Sequence, residues 1–240
     1  MLDLGTGLRF WGDTFATGAG FVGSALVTHI HWDHVQGLPF FTPVLQPGSR
    51  FDVYGPPQEG GRSLGSAFDE FIRPPFFPVS TRDLLGDIRF HDVWEADFEL
   101  DGAKVQARPV PHIGPTNGYR VEMGGVSVAY VSDHQMPQDG DQIVPDSVLA
   151  LCDGADLLIH DAQYTADEFR AKPGWGHCTS DFAVQVAKES GARRLVLFHH
   201  DPGHDDDAVD AVLAHARHLA TGSSIAEVMA AYEGLVVSFG

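Results

Sequence analysis

The segment Thr28–His34 carries four side chains that can bind a metal ion within six residues, namely His29, His31, Asp33 and His34. In an extended segment His29 and His31 point to the same side, because side chains alternate with a period of two. Asp33 and His34 lie beyond the bend and can face a second ion. Clustered histidine and aspartate are typical of metal sites. The spacing therefore predicts two adjacent divalent ions.

The overall composition fits a protein that presents imidazoles and carboxylates to cations. The 240 residues include 13 histidines, and 33 acidic against 15 basic side chains give a formal net charge of −18. Phosphate-rich polymers are bound by clustered Lys and Arg, so this charge argues against a large nucleic acid as partner. No apolar run reaches the roughly 18 residues of a membrane span, and no signal-peptide pattern opens the chain. We therefore expect a cytoplasmic protein that does not contact membranes.

The elements that must position these ligands follow from the hydrophobic pattern. Apolar runs bounded by turn residues predict eight strands. They are Ala25–Thr28, Phe51–Tyr54, Ile88–Val93, Ala103–Val110, Tyr119–Met123, Val126–Ser132, Leu157–His160 and Leu195–His199. Helical periodicity predicts helices over Ser180–Ser190 and about Asp206–Leu219. Strands in meander-like pairs, then strands alternating with helices, indicate an α/β layered sandwich in one domain over residues 1–240.

The metal motif resembles that of the metallo-β-lactamase-fold hydrolase superfamily, and the likeness continues along nearly the whole chain. The residues that match the family's ligands are His29, His31, Asp33, His34, His112, Asp133 and His199. Leu2–Gly7 looks like the family's strand-ending aspartate segment. The resemblance implies a four-layer αββα sandwich with the site at one edge between two sheets. Family members usually have one or two strands before this aspartate, so the N-terminal strands look abbreviated here.

Three local segments are similar to the branch that includes ribonuclease Z and small cyclic-nucleotide phosphodiesterases. They are Phe51–Pro56, Leu158–Ala162 and Gly176–Thr179. The chain departs from that branch where Cys178 replaces serine, where Asp161 replaces the glutamate usual in ribonuclease Z, and where His200-Asp201-Pro202 follows the last ligand. The span between the ligands His112 and Asp133 is also too short for a tRNA-binding arm. The resemblance therefore implies a small or cyclic phosphodiester as substrate.

The resemblance also implies a ligand assignment and a mechanism. It assigns His29, His31 and His112 to one ion, Asp33, His34 and His199 to the other, and Asp133 to both. Two divalent ions, Zn²⁺ or else Mn²⁺ or Fe²⁺, would lie about 3.5 Å apart with a bridging hydroxide as nucleophile. Asp33 and His177 are the candidate catalytic residues, and His177 would bind the phosphoryl oxygen or protonate the leaving alkoxide. Asp3 and Asp161 are candidates to orient ligating histidines.

Several side chains keep two interpretations. His200 replaces His199 as the last ligand if the strand register slips by one residue. Cys178 is either a soft metal ligand or a small packing residue, and we expect packing. His134, like two other isolated histidines, is expected at the surface or in a loop. The aromatic segment Asp69–Ser80 is predicted to be irregular, either packing its phenylalanines on the core or forming a flap or a dimer contact.

The same residues support more than one function. The first hypothesis is a dinuclear metal-dependent phosphodiesterase. The alternative is a carboxyl-ester, lactone or β-lactam hydrolase that uses the same metals, since a fold alone does not fix the reaction. A non-catalytic metal-binding protein is the third, and the complete ligand set argues against it. A homodimer is an open alternative to a monomer.

Overall fold

A computed structural model of the chain describes residues 1–15, 18 and 20–239. They form two units, Met1–Trp94 and Glu95–Gly240. One domain over residues 1–240 stays a prediction. None of the helices among the described residues combines the length and hydropathy that crossing a membrane requires.

The first unit is built on a parallel sheet. Its strands, in the spatial order β1-β2-β3, are Val22–Leu26, Arg50–Gly55 and Asp87–Asp92. Its helices α1 to α3 are Gly7–Gly12, Trp32–Val35 and Leu64–Phe71. A core of aromatic rings packs beside the sheet, with the centroids of Phe21, Phe41 and Phe51 5.1–5.8 Å apart. The segment Thr28–His34 leaves β1 at the carboxyl edge of this sheet, where loops of parallel sheets commonly carry functional residues.

The second unit is a mixed sheet with the strand order β10-β9-β8-β7-β6-β5-β4. Strands β4 to β10 are Ala96–Leu100, Ala103–Pro109, Asn117–Met123, Val126–Val131, Leu157–Asp161, Arg194–Phe198 and Glu227–Ala230. Helices α4 to α7 are Asp146–Cys152, Ala166–Ala171, Ser180–Glu189 and Asp206–Ala220. Strands β4 to β7 pair antiparallel, whereas β7 to β10 pair parallel with helices in the connections. The predicted order, a meander and then alternation with helices, is confirmed.

This topology places several candidate functional residues at one edge of the second sheet. Strands β7, β8 and β9 are parallel, and β5 runs in the same direction because it pairs antiparallel to β6, which pairs antiparallel to β7. The carboxyl ends of all four strands therefore lie at one edge. His112, Asp133 and His199 follow β5, β7 and β9, and Asp161 ends β8.

Both predicted helices form, with caps that explain their starts. The Thr179 hydroxyl accepts a hydrogen bond from the backbone N–H of Phe182 at the start of α6. The Asp205 carboxylate does the same for Ala208 at the start of α7. The sequence pattern missed β4 and β10. Strand β4 alternates partly buried with exposed residues and has no apolar run, which explains the omission.

Part of the aromatic segment Asp69–Ser80 packs on the core, and part of it is exposed. Helix α3 extends into it as far as Phe71, so its start is regular, contrary to the prediction. Phe71 and Phe77 pack against the core of the first unit. Phe76 does not, because 71% of its surface is exposed.

Both cysteines are free and fully buried. Burial raises the pKa of the Cys152 thiol to about 12 and that of Cys178 well above its usual range. The Cys178 thiol donates to the backbone oxygen of Asp161 at 3.1 Å. These contacts favour a packing role for Cys178.

Replacing Gly37 with alanine should destabilise the fold next to the metal motif. A Cβ at Gly37 would lie 2.0 Å from the backbone oxygen of Gly5, and the Gly37 N–H already donates to Leu4 at 2.8 Å. The two backbone segments must therefore separate. We expect a loss of about 2–3 kcal/mol in the free energy of unfolding, measured by urea denaturation. Gly203→Ala is the control, because its Cβ would meet only the Asp201 carboxylate, and equal effects would contradict the prediction.

Candidate metal centre

The first unit brings its four candidate ligands together at the end of β1. His29 and His34 are buried, with ring centroids 4.2 Å apart. The Nε2 atom of His29 lies 2.9 Å from Nδ1 of His31. The Nε2 atom of His34 lies 3.1 Å from an Asp33 carboxylate oxygen. Each pair therefore presents two donor atoms to the same point.

Asp3 and Thr28 determine which nitrogen of each buried histidine faces a metal. A carboxylate only accepts hydrogen bonds, so His34 Nδ1–H donates to Asp3 Oδ2 at 2.9 Å and leaves a lone pair on Nε2. The Thr28 hydroxyl lies 3.0 Å from both Asp3 oxygens and donates to that carboxylate. It therefore accepts from His29 Nδ1–H at 3.1 Å, which leaves His29 Nε2 with a lone pair as well. Asp3 takes the orienting position predicted for it, whereas Thr28 was not predicted.

Replacing Asp3 with asparagine should weaken metal binding without unfolding the unit. Asp3 has φ of +55°, a left-handed conformation that asparagine also tolerates. The variant replaces one acceptor oxygen with a donor amide, so it cannot satisfy both Thr28 and His34. We expect Zn²⁺ affinity to fall about 10- to 100-fold, measured by chelator competition. Asp13→Asn, an exposed site in the same unit, is the control, and equal affinities in the two variants would contradict the prediction.

In the second unit, Asp133 lies among three imidazoles. One of its carboxylate oxygens, Oδ2, is 3.7 Å from His112 Nε2, 3.6 Å from His199 Nε2 and 3.8 Å from His177 Nδ1. Asp133 is 2% exposed. These separations exceed hydrogen-bond length. Asp133, His177 and His199 each offer a ligand atom, and the three atoms lie within 4.8 Å of one another.

The structure distinguishes the two histidines that follow β9. His199 directs Nε2 towards Asp133 and has φ of +57°. A non-glycine residue rarely adopts this conformation, and such outliers cluster at functional sites. His200 instead donates from Nε2 to the backbone oxygen of Ala231 at 3.2 Å. The geometry therefore favours His199 over His200 as the donor.

A backbone carbonyl holds His112 in place. His112 Nδ1–H donates to the oxygen of Gly176 at 2.6 Å, which leaves the lone pair on Nε2, the atom nearest Asp133. Gly176 has φ of +96°, and a Cβ there would lie 2.6 Å from the His112 ring. Glycine is therefore required beside His177 for two reasons, its backbone conformation and the approach of His112.

Asp161 orients His177, and the expectation that it orients a metal-ligating histidine stays a prediction. Its Oδ2 accepts from His177 Nδ1–H at 2.9 Å and from the backbone N–H of His134 at 2.9 Å. Its Oδ1 accepts from the N–H of Gln163 at 2.9 Å. Three donors hold this buried carboxylate. Because Nδ1–H of His177 is held by Asp161, Nε2 is the ring nitrogen of His177 that is left to exchange a proton.

His134 lies in the loop after β7, as expected, but it is fully buried, so the surface alternative is wrong. His160 Nδ1–H donates to the Asp161 backbone oxygen at 2.7 Å, and His134 Nδ1–H donates to His160 Nε2 at 3.0 Å. Burial holds the pKa of His134 well below its usual range. Its position directly after Asp133, at the end of a buried strand, was the available signal. The two neutral rings support the loop that carries Asp133.

The donors within each unit fit a divalent metal ion. Zinc–nitrogen bonds are about 2.0–2.1 Å, so two donors on one ion lie about 3–3.5 Å apart. The observed separations of 2.9 and 3.1 Å in the first unit and 3.6 and 3.7 Å in the second lie close to this range. The imidazole and carboxylate donors suit zinc, manganese and iron alike.

The chain is similar to known proteins of one superfamily. The family model described as "Beta-lactamase superfamily domain" matches residues 22–200. Ribonuclease Z from Myxococcus xanthus is 28% identical, with 92% of this chain and 82% of the relative covered. The structure of the metallo-beta-lactamase fold protein YhfI from Bacillus subtilis superposes with a TM-score of 0.71 at 19% identity, covering 98% of this chain and 84% of YhfI. A diphosphatase from the PhnP family gives a TM-score of 0.68 at 24% identity, covering 100% and 79%.

The family model spans well over half of the chain, and the solved structures share its α/β fold. The chain therefore belongs to the beta-lactamase superfamily and is a metal-dependent hydrolase.

Proposed function

We propose that the protein is a dinuclear metal-dependent phosphodiesterase that acts on small or cyclic phosphodiesters. The observation that carries this proposal is the His177–Asp161 pair, whose Nδ1 and Oδ2 atoms lie 2.9 Å apart, with His177 Nδ1 also 3.8 Å from Asp133. An oriented histidine beside a metal-ligating carboxylate is suited to protonate a poor leaving group. An alkoxide displaced from phosphorus is such a group.

The proposed ligand set is the one that the family resemblance assigns. One ion would be held by His29, His31 and His112 and the other by Asp33, His34 and His199, and Asp133 would be a ligand of both. When bound, divalent ions supply Lewis acidity and an activated water. The chain's own contribution is orientation. Asp3, Thr28 and the Gly176 carbonyl fix the ligand nitrogens, and Asp161 fixes His177.

Asp33 is the second proposed catalytic residue, in addition to its role as a ligand. Its side chain is 58% exposed, whereas that of its neighbour His34 is 5% exposed. An accessible carboxylate beside a buried imidazole can hydrogen bond an incoming water. His34 meanwhile keeps its nitrogen in place through Asp3.

A small substrate is favoured over a structured RNA by charge. The proteins that this chain resembles include enzymes named ribonuclease Z and a diphosphatase of the PhnP family. Binding a polyanion requires several cationic contacts, and this chain carries 15 basic against 33 acidic side chains. A single diester brings only one negative charge. It therefore meets less repulsion.

The substrate class is tested with the metal-loaded protein on a panel of substrates. Initial rates are measured on bis(p-nitrophenyl) phosphate, 2′,3′-cyclic AMP, a γ-lactone, a β-lactam and a precursor tRNA. The proposal predicts turnover of the first two and little on the others. Hydrolysis of the lactone or β-lactam without the diesters would support the carboxyl-ester alternative, and preferential cleavage of the tRNA would contradict the small-substrate proposal.

A further inference from the structure

A cavity of about 490 Å³ lies in the first unit beside the metal motif. Most of its lining is aromatic or aliphatic, including Ile30, Trp32, Phe40, Phe71, Phe76 and Phe77. Phe40 and Phe77 meet edge to face, with ring centroids 5.7 Å apart. Trp32, Phe40 and Phe76 are 71%, 53% and 71% exposed. Their ring faces are therefore accessible to a ligand.

Two lining residues belong to the ligand segment itself. Ile30 and Trp32 alternate along the chain with His29, His31 and Asp33. Neighbouring Cα atoms are about 3.8 Å apart, so the cavity wall begins one residue from a candidate metal ligand. The cavity wall and the candidate metal ligands therefore share one short segment of the chain.

The chemistry of the cavity selects for a neutral, planar group. Its volume falls within the range of about 300–1,000 Å³ typical of small-molecule sites. None of its described lining residues is cationic, and Glu70 is paired with Arg62 at 2.8 Å. An anionic group would therefore find no cationic partner among these lining residues. Aromatic rings gain stacking and edge-to-face contacts with such walls.

We propose that this cavity binds a neutral aromatic ester group of the substrate, such as an aryl ring or a nucleobase. The inference rests on the proposed phosphodiesterase function and specifies its substrate class. Gln36, also on the lining, supplies an amide that can hydrogen bond the edge of a heteroaromatic ring.

The kinetic test compares two competitive inhibitors that differ by one ring. Inhibition constants of phenyl phosphate and methyl phosphate are measured against bis(p-nitrophenyl) phosphate. The wild type should prefer phenyl phosphate by about 10-fold or more, as expected for burial of one ring. Phe40→Ala and Phe76→Ala should bring this ratio to within about 3-fold. Phe10→Ala, which removes a 65% exposed phenylalanine of the same unit outside the cavity, should keep it. An unchanged ratio in all variants would overturn the proposal.

A second test does not depend on activity. The uncharged quencher 4-nitrobenzyl alcohol should quench tryptophan fluorescence saturably in the wild type. Trp32→Phe should leave only linear collisional quenching of the other exposed tryptophans, Trp11, Trp94 and Trp175. Saturable quenching that is lost in Trp32→Phe, in a protein that hydrolyses no diester, would support the cavity and contradict the proposed function. Diester turnover with only linear quenching in the wild type would support the proposed function and contradict the cavity as a ligand site.

The alternative to a ligand on this surface is a second copy of the chain. Sedimentation equilibrium of the wild type and Phe76→Ala distinguishes it from a ligand. A wild-type dimer that Phe76→Ala dissociates, with the phenyl preference unchanged, would overturn the proposal and assign this surface to self-association. The same molecular mass for the wild type and Phe76→Ala, with the preference for phenyl phosphate lost in the variant, would support the proposal.

Discussion

Replacing Asp133 with alanine is expected to lower kcat/KM for a phosphodiester by at least about 10³-fold, which corresponds to about 4 kcal/mol of transition-state stabilisation. Asp133 Oδ2 lies 3.6 and 3.7 Å from the Nε2 atoms of His199 and His112. Removing the carboxylate leaves these imidazoles without the oxygen that completes their donor set. We therefore also expect fewer bound metal ions per chain, measured by mass spectrometry of the dialysed protein.

The control for this variant is Asp141→Ala, which removes an exposed carboxylate from the same unit. It should keep the wild-type rate and metal content. Circular dichroism and the unfolding midpoint of Asp133→Ala establish that the fold persists. A folded Asp133→Ala protein with normal metal content and normal turnover would contradict the place of Asp133 in the metal centre.

Replacing His177 with alanine should have the second largest effect, and that effect should depend on the leaving group. If His177 protonates the departing oxygen, the variant loses about 10²- to 10⁴-fold on a diester with an alkoxide leaving group. The p-nitrophenolate ion needs little protonation, so the loss on bis(p-nitrophenyl) phosphate should be several-fold smaller. Asp161→Asn should show the same pattern to a lesser degree, because Asp161 orients His177.

His215→Ala is a matched control for this experiment. His215 forms a hydrogen bond with Asp181 at 2.9 Å, the same distance as the His177–Asp161 pair, but on the protein surface. Its loss should leave both rates unchanged. Equal losses on both leaving groups in His177→Ala would exclude a proton-donating role and favour one in substrate binding.

The spacing of the ligand residues made much of the site predictable. Four of the candidates follow a strand within six residues, namely His29, His31, Asp33 and His34. Donor atoms in so short a segment lie close together in most backbone conformations. The other candidates follow apolar runs that the structure shows as strands whose carboxyl ends share one edge. Short sequence patterns were enough to predict these positions, because each strand and the candidate ligand after it are adjacent in the sequence.

The contacts that orient the ligands were harder to predict, because they join distant parts of the chain. The partner of His112 is a backbone carbonyl 64 residues away, and any residue type supplies a carbonyl. Thr28 acts through a carboxylate 25 residues before it. The burial of His134 depends on packing against His160, 26 residues later. None of these contacts leaves a periodic signal in the sequence.

If two divalent ions make this chain a phosphodiesterase, titrating the metal-free protein with metal should restore its activity. Zn²⁺ or Mn²⁺ is added stepwise while the rate on bis(p-nitrophenyl) phosphate is followed, with the bound metal measured in the same samples. We expect activity to rise with metal occupancy and to reach a plateau at two ions per chain. A plateau at one ion, or two bound ions without diester hydrolysis, would contradict this expectation.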